Sequence, residues 1–215
     1  MKSNIYAKAL DNIIFLYERY SKQHRANTQP FHLQKVRSFV KGYVYKYDDL
    51  LVREPLIEHS GSLPIVATAI YPNINNINVD LGKALIMLAI HDIGELVTGD
   101  EITFTKSGDG HSEKKQALKL LSPYYHEIYK EMEGRTSDTG RFAKAVDKMT
   151  PDIVDLMTPA EITVERYKKF VKKEAKEIVE TIKEFKHPYM LWNEFMTNLH
   201  LEILARIDKK LRKYY

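Results

Sequence analysis

The strongest constraint on this chain is the segment LGKALIMLAIHDIGELV, residues 81–97, in which an unbroken apolar run from Ala84 to Ile90 leads directly into a histidine and an aspartate. Apolar side chains on nearly every face predict a helix that is central and buried. Asp80 is a good N-cap for it, and Gly99 is well placed to end it. His91 and Asp92 are adjacent, and Glu95 follows four and three residues later, so all three fall on one side within about a turn. Burying two carboxylates and an imidazole without a partner is costly. A divalent cation would supply the missing positive charge.

The rest of the chain limits how that cation could be held. There is no cysteine among the 215 residues, which excludes disulfides, thiolate ligands and a thiol nucleophile and leaves only nitrogen and oxygen donors. With 44% hydrophobic residues the chain can bury one substantial core, so a single domain over 1–215 is expected. The 33 basic and 29 acidic residues are interleaved, which gives no nucleic-acid signature. The N-terminus, MKSNIYAKALDNIIFLYERY, lacks a signal-peptide pattern, and no apolar run approaches the roughly 20 residues that span a bilayer. These features predict a cytoplasmic protein with no membrane partner.

Helical spacing recurs along the chain, with no convincing strand alternation and no repeat. Ile5, Leu10, Ile13, Ile14, Leu16 and Tyr17 predict an amphipathic opening helix. Leu33, Val36, Phe39 and Val40 form a second periodic segment, followed by the aromatic-rich GYVYKYDD, which suits helix or loop. Over 56–70, Ser60, Gly61, Ser62 and Pro64 predict a helix starting at Ser62 with Pro64 in its first turn. The competing picture is a helix from Leu56 kinked at Pro64. Further helices are expected at 113–132, 138–157, 160–184 and 188–213. The fold class is therefore all-α.

Two more residues have the chemistry and setting to complete a metal site. His59 lies in IEHS, and Asp147 in AKAVDKM has apolar neighbours at Ala143, Ala145 and Val146. Two imidazoles and two carboxylates leave positions open on an octahedral ion, which suits Mn²⁺, Co²⁺, Fe²⁺, Ni²⁺ or Mg²⁺ and is compatible with Zn²⁺. Such an ion polarises a phosphoryl oxygen and activates water.

His59, then His91 and Asp92, then Asp147 resemble the H…HD…D pattern of the HD-domain metal-dependent phosphohydrolases. KALIMLAIHDIGELVTGDEI is similar to the HDxxExxxxGD segment of their 5′-deoxynucleotidase branch. The motif-bearing core is about 37–156. The resemblance implies a compact HD-domain helical fold, metal ligation by His59, His91, Asp92 and Asp147, proton transfer by Glu95, and contact of Asp100 with the sugar of a small phosphate ester, a nucleoside or deoxynucleoside 5′-monophosphate. It also makes Arg37 the first candidate to hold phosphate, with Arg53 and Lys148 as alternatives. Two departures stand out: the interval from Arg37 to His59 is long, and GSLP follows His59 where the family continues an unbroken helix.

Neighbouring HD chemistries match less well. Guanosine tetraphosphate hydrolases resemble HDxxED, whereas position 96 is Leu. The lysine and GYP segment of cyclic dinucleotide phosphodiesterases are missing. Cyclic nucleotide or other phosphoester hydrolysis is the nearest alternative, and a noncatalytic metal-binding helical regulatory module is the alternative from another class. The apolar face of the last helix, with Leu191, Trp192, Phe195, Met196, Leu199, Leu201, Ile203 and Leu204, suits intramolecular packing or a homodimer, and the resemblance favours the dimer.

Overall fold

A computed structural model describes residues 5–25, 54–75, 78–104 and 111–215. Arg37, Arg53, the periodic segment at 33–40, the GYVYKYDD stretch and GDG at 108–110 lie outside the described residues. The described α-helices are α1 (Ile5–Lys22), α2 (Leu56–Ile70), α3 (Leu81–Ile90), α4 (Glu95–Thr98), α5 (His111–Leu120), α6 (His126–Gly134), α7 (Asp138–Met157), α8 (Ala160–Arg166), α9 (Ile178–Lys186) and α10 (Glu194–Leu211). Among the described residues there is no strand, only an isolated antiparallel bridge between His24 and Pro55. None of the described helices is long and apolar enough to cross a membrane.

The helix over 56–70 begins at Leu56, with Pro55 as an extended N-cap, and not at Ser62. Pro64 forfeits one backbone hydrogen bond. Leu56, His59, Leu63, Ala67 and Ile70, spaced three and four apart, nevertheless bury one continuous face, which carries the helix through the proline. The expected helix over 81–97 divides instead. It is capped by Asp80, whose carboxylate accepts from the Lys83 amide at 2.9 Å, but ends at Ile90. Residues 91–94 form turns, and Gly99, at φ 80°, terminates the short α4. Gly94 allows α5 to approach, since a Cβ there would stand 2.4 Å from the Glu113 carbonyl oxygen. Nor is α3 buried all round: Ala84, Met87 and Leu88 are enclosed while Ile86 is 39% exposed.

Other long expectations break for local reasons. Pro123 opens a 3-10 turn that separates α5 from α6. The segment 160–184 is interrupted by a π turn at Tyr167–Val171 and by Lys172 in the left-handed region, after which a reciprocal Glu174–Glu177 capping box restarts the chain toward α9. Asn193 caps α10 by accepting from the Met196 amide at 3.1 Å. The apolar face of α10 packs largely within the chain, burying Met196, Ile203, Leu204, Ile207 and Leu211, while Leu201 on the helix and Leu191 ahead of it are exposed.

Helix α7 is the axis of the fold, packed against α2, α3, α6 and α10. The large core gathers Leu63, Met87, Leu88, Phe142, Val146, Met149, Ile182 and Ile207. A smaller cluster holds Leu56, Ile93, Leu96, Leu121 and Tyr129, with Leu16 and Tyr20 of α1 against it. His59 lies between Leu56 and Leu63, and His91 and Asp92 between Leu88 and Ile93, so the charged residues occupy the seam between the two clusters.

A second charged group ties α7 to the C-terminal helices. Asp152, wholly buried, receives the Lys186 ammonium on one oxygen and lies 3.1 Å from His200 Nε2 on the other. His187 Nδ1 then stands 3.0 Å from His200 Nδ1. With His200 Nε2–H donating to Asp152, its Nδ1 accepts from His187. Lys210 closes the end of α7 by donating to the carbonyls of Asp155, Leu156 and Thr158. Breaking a buried ion pair from one side leaves an uncompensated charge. Lys186→Met should therefore cost about 3 kcal/mol or more, lowering Tm by roughly 6 °C or more in a thermal melt followed by circular dichroism.

Candidate metal centre

The chain brings His59 from α2, His91 and Asp92 from the turns after α3, and Asp147 from α7 to one buried place. Ligand atoms of His59, His91 and Asp147 all lie within 4.8 Å of one another. His59 Nε2 is 3.6 Å from Asp147 Oδ1 and 3.7 Å from Asp92 Oδ2. His91 Nε2 is 2.9 Å from Asp92 Oδ1 and 3.3 Å from Asp147 Oδ1.

The hydrogen bonding around His91 tests whether a cation fits. Its Nδ1 lies 2.9 Å from the Leu88 carbonyl oxygen, which can only accept, so Nδ1–H donates there and Nε2 is the ring nitrogen turned to two carboxylates. That arrangement is repulsive unless a positive charge stands between them. Burial alone would lower His91, but Asp92 and Asp147 outweigh it and push it up to about 10. His59 Nε2, His91 Nε2 and Asp147 Oδ2 are all buried without a hydrogen-bond partner. The His59 and His91 Nε2 atoms, turned to Asp147 Oδ1 and to the Asp92 carboxylate, make a nitrogen-and-oxygen donor set that fits a divalent cation.

Several surrounding residues were not foreseen in the sequence. Arg25, just past α1, is buried, with Nη1 3.0 Å from Asp92 Oδ2, 3.5 Å from Glu95 Oε2 and 3.3 Å from Asp100 Oδ1. It is joined to the start of α2 through its amide, which donates to the Glu54 carbonyl at 2.7 Å. No local pattern marks it, because 28 residues separate it from Glu54 in sequence. Glu54 is 1% exposed and stands 3.7 Å from His59 Nδ1, and burial pushes its carboxyl up to about 8. Its place in REPLIEHS, five residues before His59, was the available signal.

Lys148 is 3.2 Å from Asp147 Oδ2 and Lys144 is 3.7 Å from it, while Lys144 also donates to Glu133 at 2.6 Å. Burial and the Asp92 carboxylate raise Glu95 well above the usual carboxyl range. These side chains line one cavity of about 390 Å³ that also takes in Asp100, Arg135, Phe185 and Tyr189. His111 begins α5 in an exposed position, and His126 is half-buried with Nε2 3.1 Å from the Leu121 carbonyl, so neither joins the centre.

The sequence matches the HD domain family over residues 50–186, close to two thirds of the chain, and the chain belongs to that family. The matched span contains all four clustered donors and stops short of Arg25 on one side and α10 on the other. Among solved structures, a protein of Magnetospirillum magnetotacticum MS-1 described as a predicted metal-dependent phosphohydrolase is similar at TM-score 0.63 and 20% identity, over 97% of this chain and 93% of that one. A conserved hypothetical protein of Pyrococcus furiosus is similar at TM-score 0.57 and 17% identity, over 91% and 99% of the two chains. A Pyrococcus horikoshii OT3 protein is similar at TM-score 0.54 and 17% identity, over 94% and 99%. No curated protein matches the sequence.

Because a proton on His91 Nε2 and a cation compete for one lone pair, metal loading at neutral pH should release about one proton from this ring. Below pH 10 the apparent metal affinity should therefore weaken by up to about tenfold per unit fall in pH from this group alone. Calorimetric metal titrations in buffers of different ionisation enthalpy count the protons directly, and an affinity independent of pH between 6 and 8 would contradict the assignment.

Proposed function

We propose that the protein is a metal-dependent phosphohydrolase that releases phosphate from a phosphate monoester, specifically a nucleoside or deoxynucleoside 5′-monophosphate. The observation carrying this reading is the donor set of His59, His91, Asp92 and Asp147, in which the unpartnered Nε2 atoms of the two histidines face the two carboxylates, and those carboxylates in turn line a cavity rich in cations and acids. Membership of the HD domain family and the description of the Magnetospirillum structure support it.

When bound among those four side chains, a divalent cation supplies Lewis-acid polarisation of a phosphoryl oxygen and offsets the charge that develops there. Arg25, held through Nη1 by Asp92, Glu95 and Asp100, presents a preorganised guanidinium to phosphate, beside Arg37 and Arg53 as the candidates from the sequence. Lys148 adds a second cation beside Asp147. Glu95, whose carboxyl is raised well above the usual range by burial and by Asp92, is placed to exchange a proton with the attacking water and the leaving oxygen. Asp100 lies where a sugar hydroxyl could donate to its carboxylate.

Metal-stripped protein should release no phosphate from nucleoside 5′-monophosphates, and resupply of Mn²⁺, Co²⁺, Ni²⁺, Zn²⁺ or Mg²⁺ one at a time should restore release with at least one of them. Asp92→Ala should abolish release while retaining the helical circular dichroism of the parent. A metal-loaded protein silent across ribo- and deoxyribonucleotides would sink the reading, as would an Asp92→Ala variant with normal activity.

A further inference from the structure

We propose that Phe185, Tyr189 and Arg135 form a ring-binding subsite in this cavity, so that the site selects phosphate esters carrying a flat aromatic base over ring-free sugar phosphates. The inference rests on the phosphohydrolase reading for the phosphate end of the ligand and concerns the opposite end. Among the described residues that line the cavity, every side chain is charged except Thr103, Phe185 and Tyr189. Two aromatic rings in such a lining are out of keeping with phosphate binding alone. They sit four residues apart across the end of α9 and the following 3-10 turn, and Phe185 is 41% exposed.

Arg135 faces them with its guanidinium 5.0 Å from the Tyr189 ring centre. Its backbone is in the left-handed region at φ 52°, directly after Gly134 at the end of α6. Glycine is the residue usually selected at such a position, and a side chain there carries a conformational cost. An arginine held in that conformation against an aromatic ring at a cavity wall provides a planar cation on which a base can stack. The cavity volume, about 390 Å³, falls at the small end of ligand pockets, suited to a mononucleotide and not to a longer chain.

The aromatic wall is also held in fixed register with the metal centre. Lys186, between the two aromatics in sequence, and His187 are both tied to Asp152, the first of these directly and the second through His200. Asp152 lies on α7, five residues beyond Asp147. Phe104, edge-on to Phe185 with ring centres 5.7 Å apart, backs the wall. Stacking reads the ring and not its hydrogen-bonding edge, so discrimination among bases should be weak.

Binding can be measured apart from turnover with hydrolysis-resistant 5′-methylenephosphonates of adenosine and of ribose, titrated calorimetrically into Mn²⁺-supplied protein. The adenosine compound should bind roughly 5- to 150-fold more tightly, the range for one base on aromatic side chains. Tyr189→Leu and Phe185→Ala should each narrow that ratio. Arg135→Gly should narrow it too, and because glycine accepts the left-handed backbone freely, this variant keeps the test informative if an aromatic replacement misfolds. Equal affinity for the two compounds, no binding of either, or variants that weaken both equally would overturn the subsite. Ring-dependent binding without phosphate release from adenosine 5′-monophosphate would overturn the hydrolase reading alone; phosphate release with ring-independent binding would overturn the subsite alone.

Discussion

Asp147 is the residue on which the arrangement turns, because its two oxygens face different chemistries. Oδ1 lies 3.6 Å from His59 and 3.3 Å from His91, while Oδ2 lies 3.2 Å from Lys148 and 3.7 Å from Lys144. One oxygen thus faces the two imidazoles and the other the lysine ammonium groups. Burial raises a carboxyl on its own, and Asp147 is nevertheless held well below the usual range by Lys148, His91 and His59. It can stay charged inside the protein because every element that touches it brings a compensating group.

The position of α7 follows from this. A helix carrying a buried carboxylate must be surrounded by the helices that answer it, and α2, α3 and α6 all pack against α7. Gly140 lets it approach α6 at the other end, since a Cβ there would stand 2.6 Å from the Glu131 carbonyl oxygen. The two apolar clusters leave a seam between them, and that seam is where α2 and the end of α3 deliver His59, His91 and Asp92. Packing alone would favour filling the seam with leucine. Its polar occupants and their unpartnered atoms make sense together only with a cation among them.

The sequence made the donors legible because their signal is local. An apolar run that ends in His-Asp declares itself, and Asp147 is framed by alanines and a valine. The helical class was equally readable from spacing. What escaped were features set by long-range return or by tertiary override of a local rule. Arg25 reaches Asp92 across 67 positions, which no window detects. Pro64 argued for a late helix start, but a continuous buried face from Leu56 to Ile70 outweighed its one lost hydrogen bond. The apolar segment before His91 argued for an unbroken helix through Val97, and the close approach of α5 at Gly94 accompanies turns there instead.

Comparison of Asp147 with Asp152, on the same helix, separates a site from a strut. Both are buried carboxylates among cations and imidazoles. Asp152 is satisfied on both oxygens, by the Lys186 ammonium and by His200 Nε2. Asp147 has Oδ2 ion-paired with Lys148 at 3.2 Å, but the His59 and His91 Nε2 atoms facing its other oxygen are without hydrogen-bond partners. A closed network rigidifies without needing anything further, whereas an open one is costly until a ligand completes it. The two are coupled mechanically, because the closed cluster anchors the segment bearing Phe185 and Tyr189 to the helix that bears the open one. The stable charge pair therefore sets the distance between the metal centre and the far wall of the cavity, and with it the length of the ligand that can touch both.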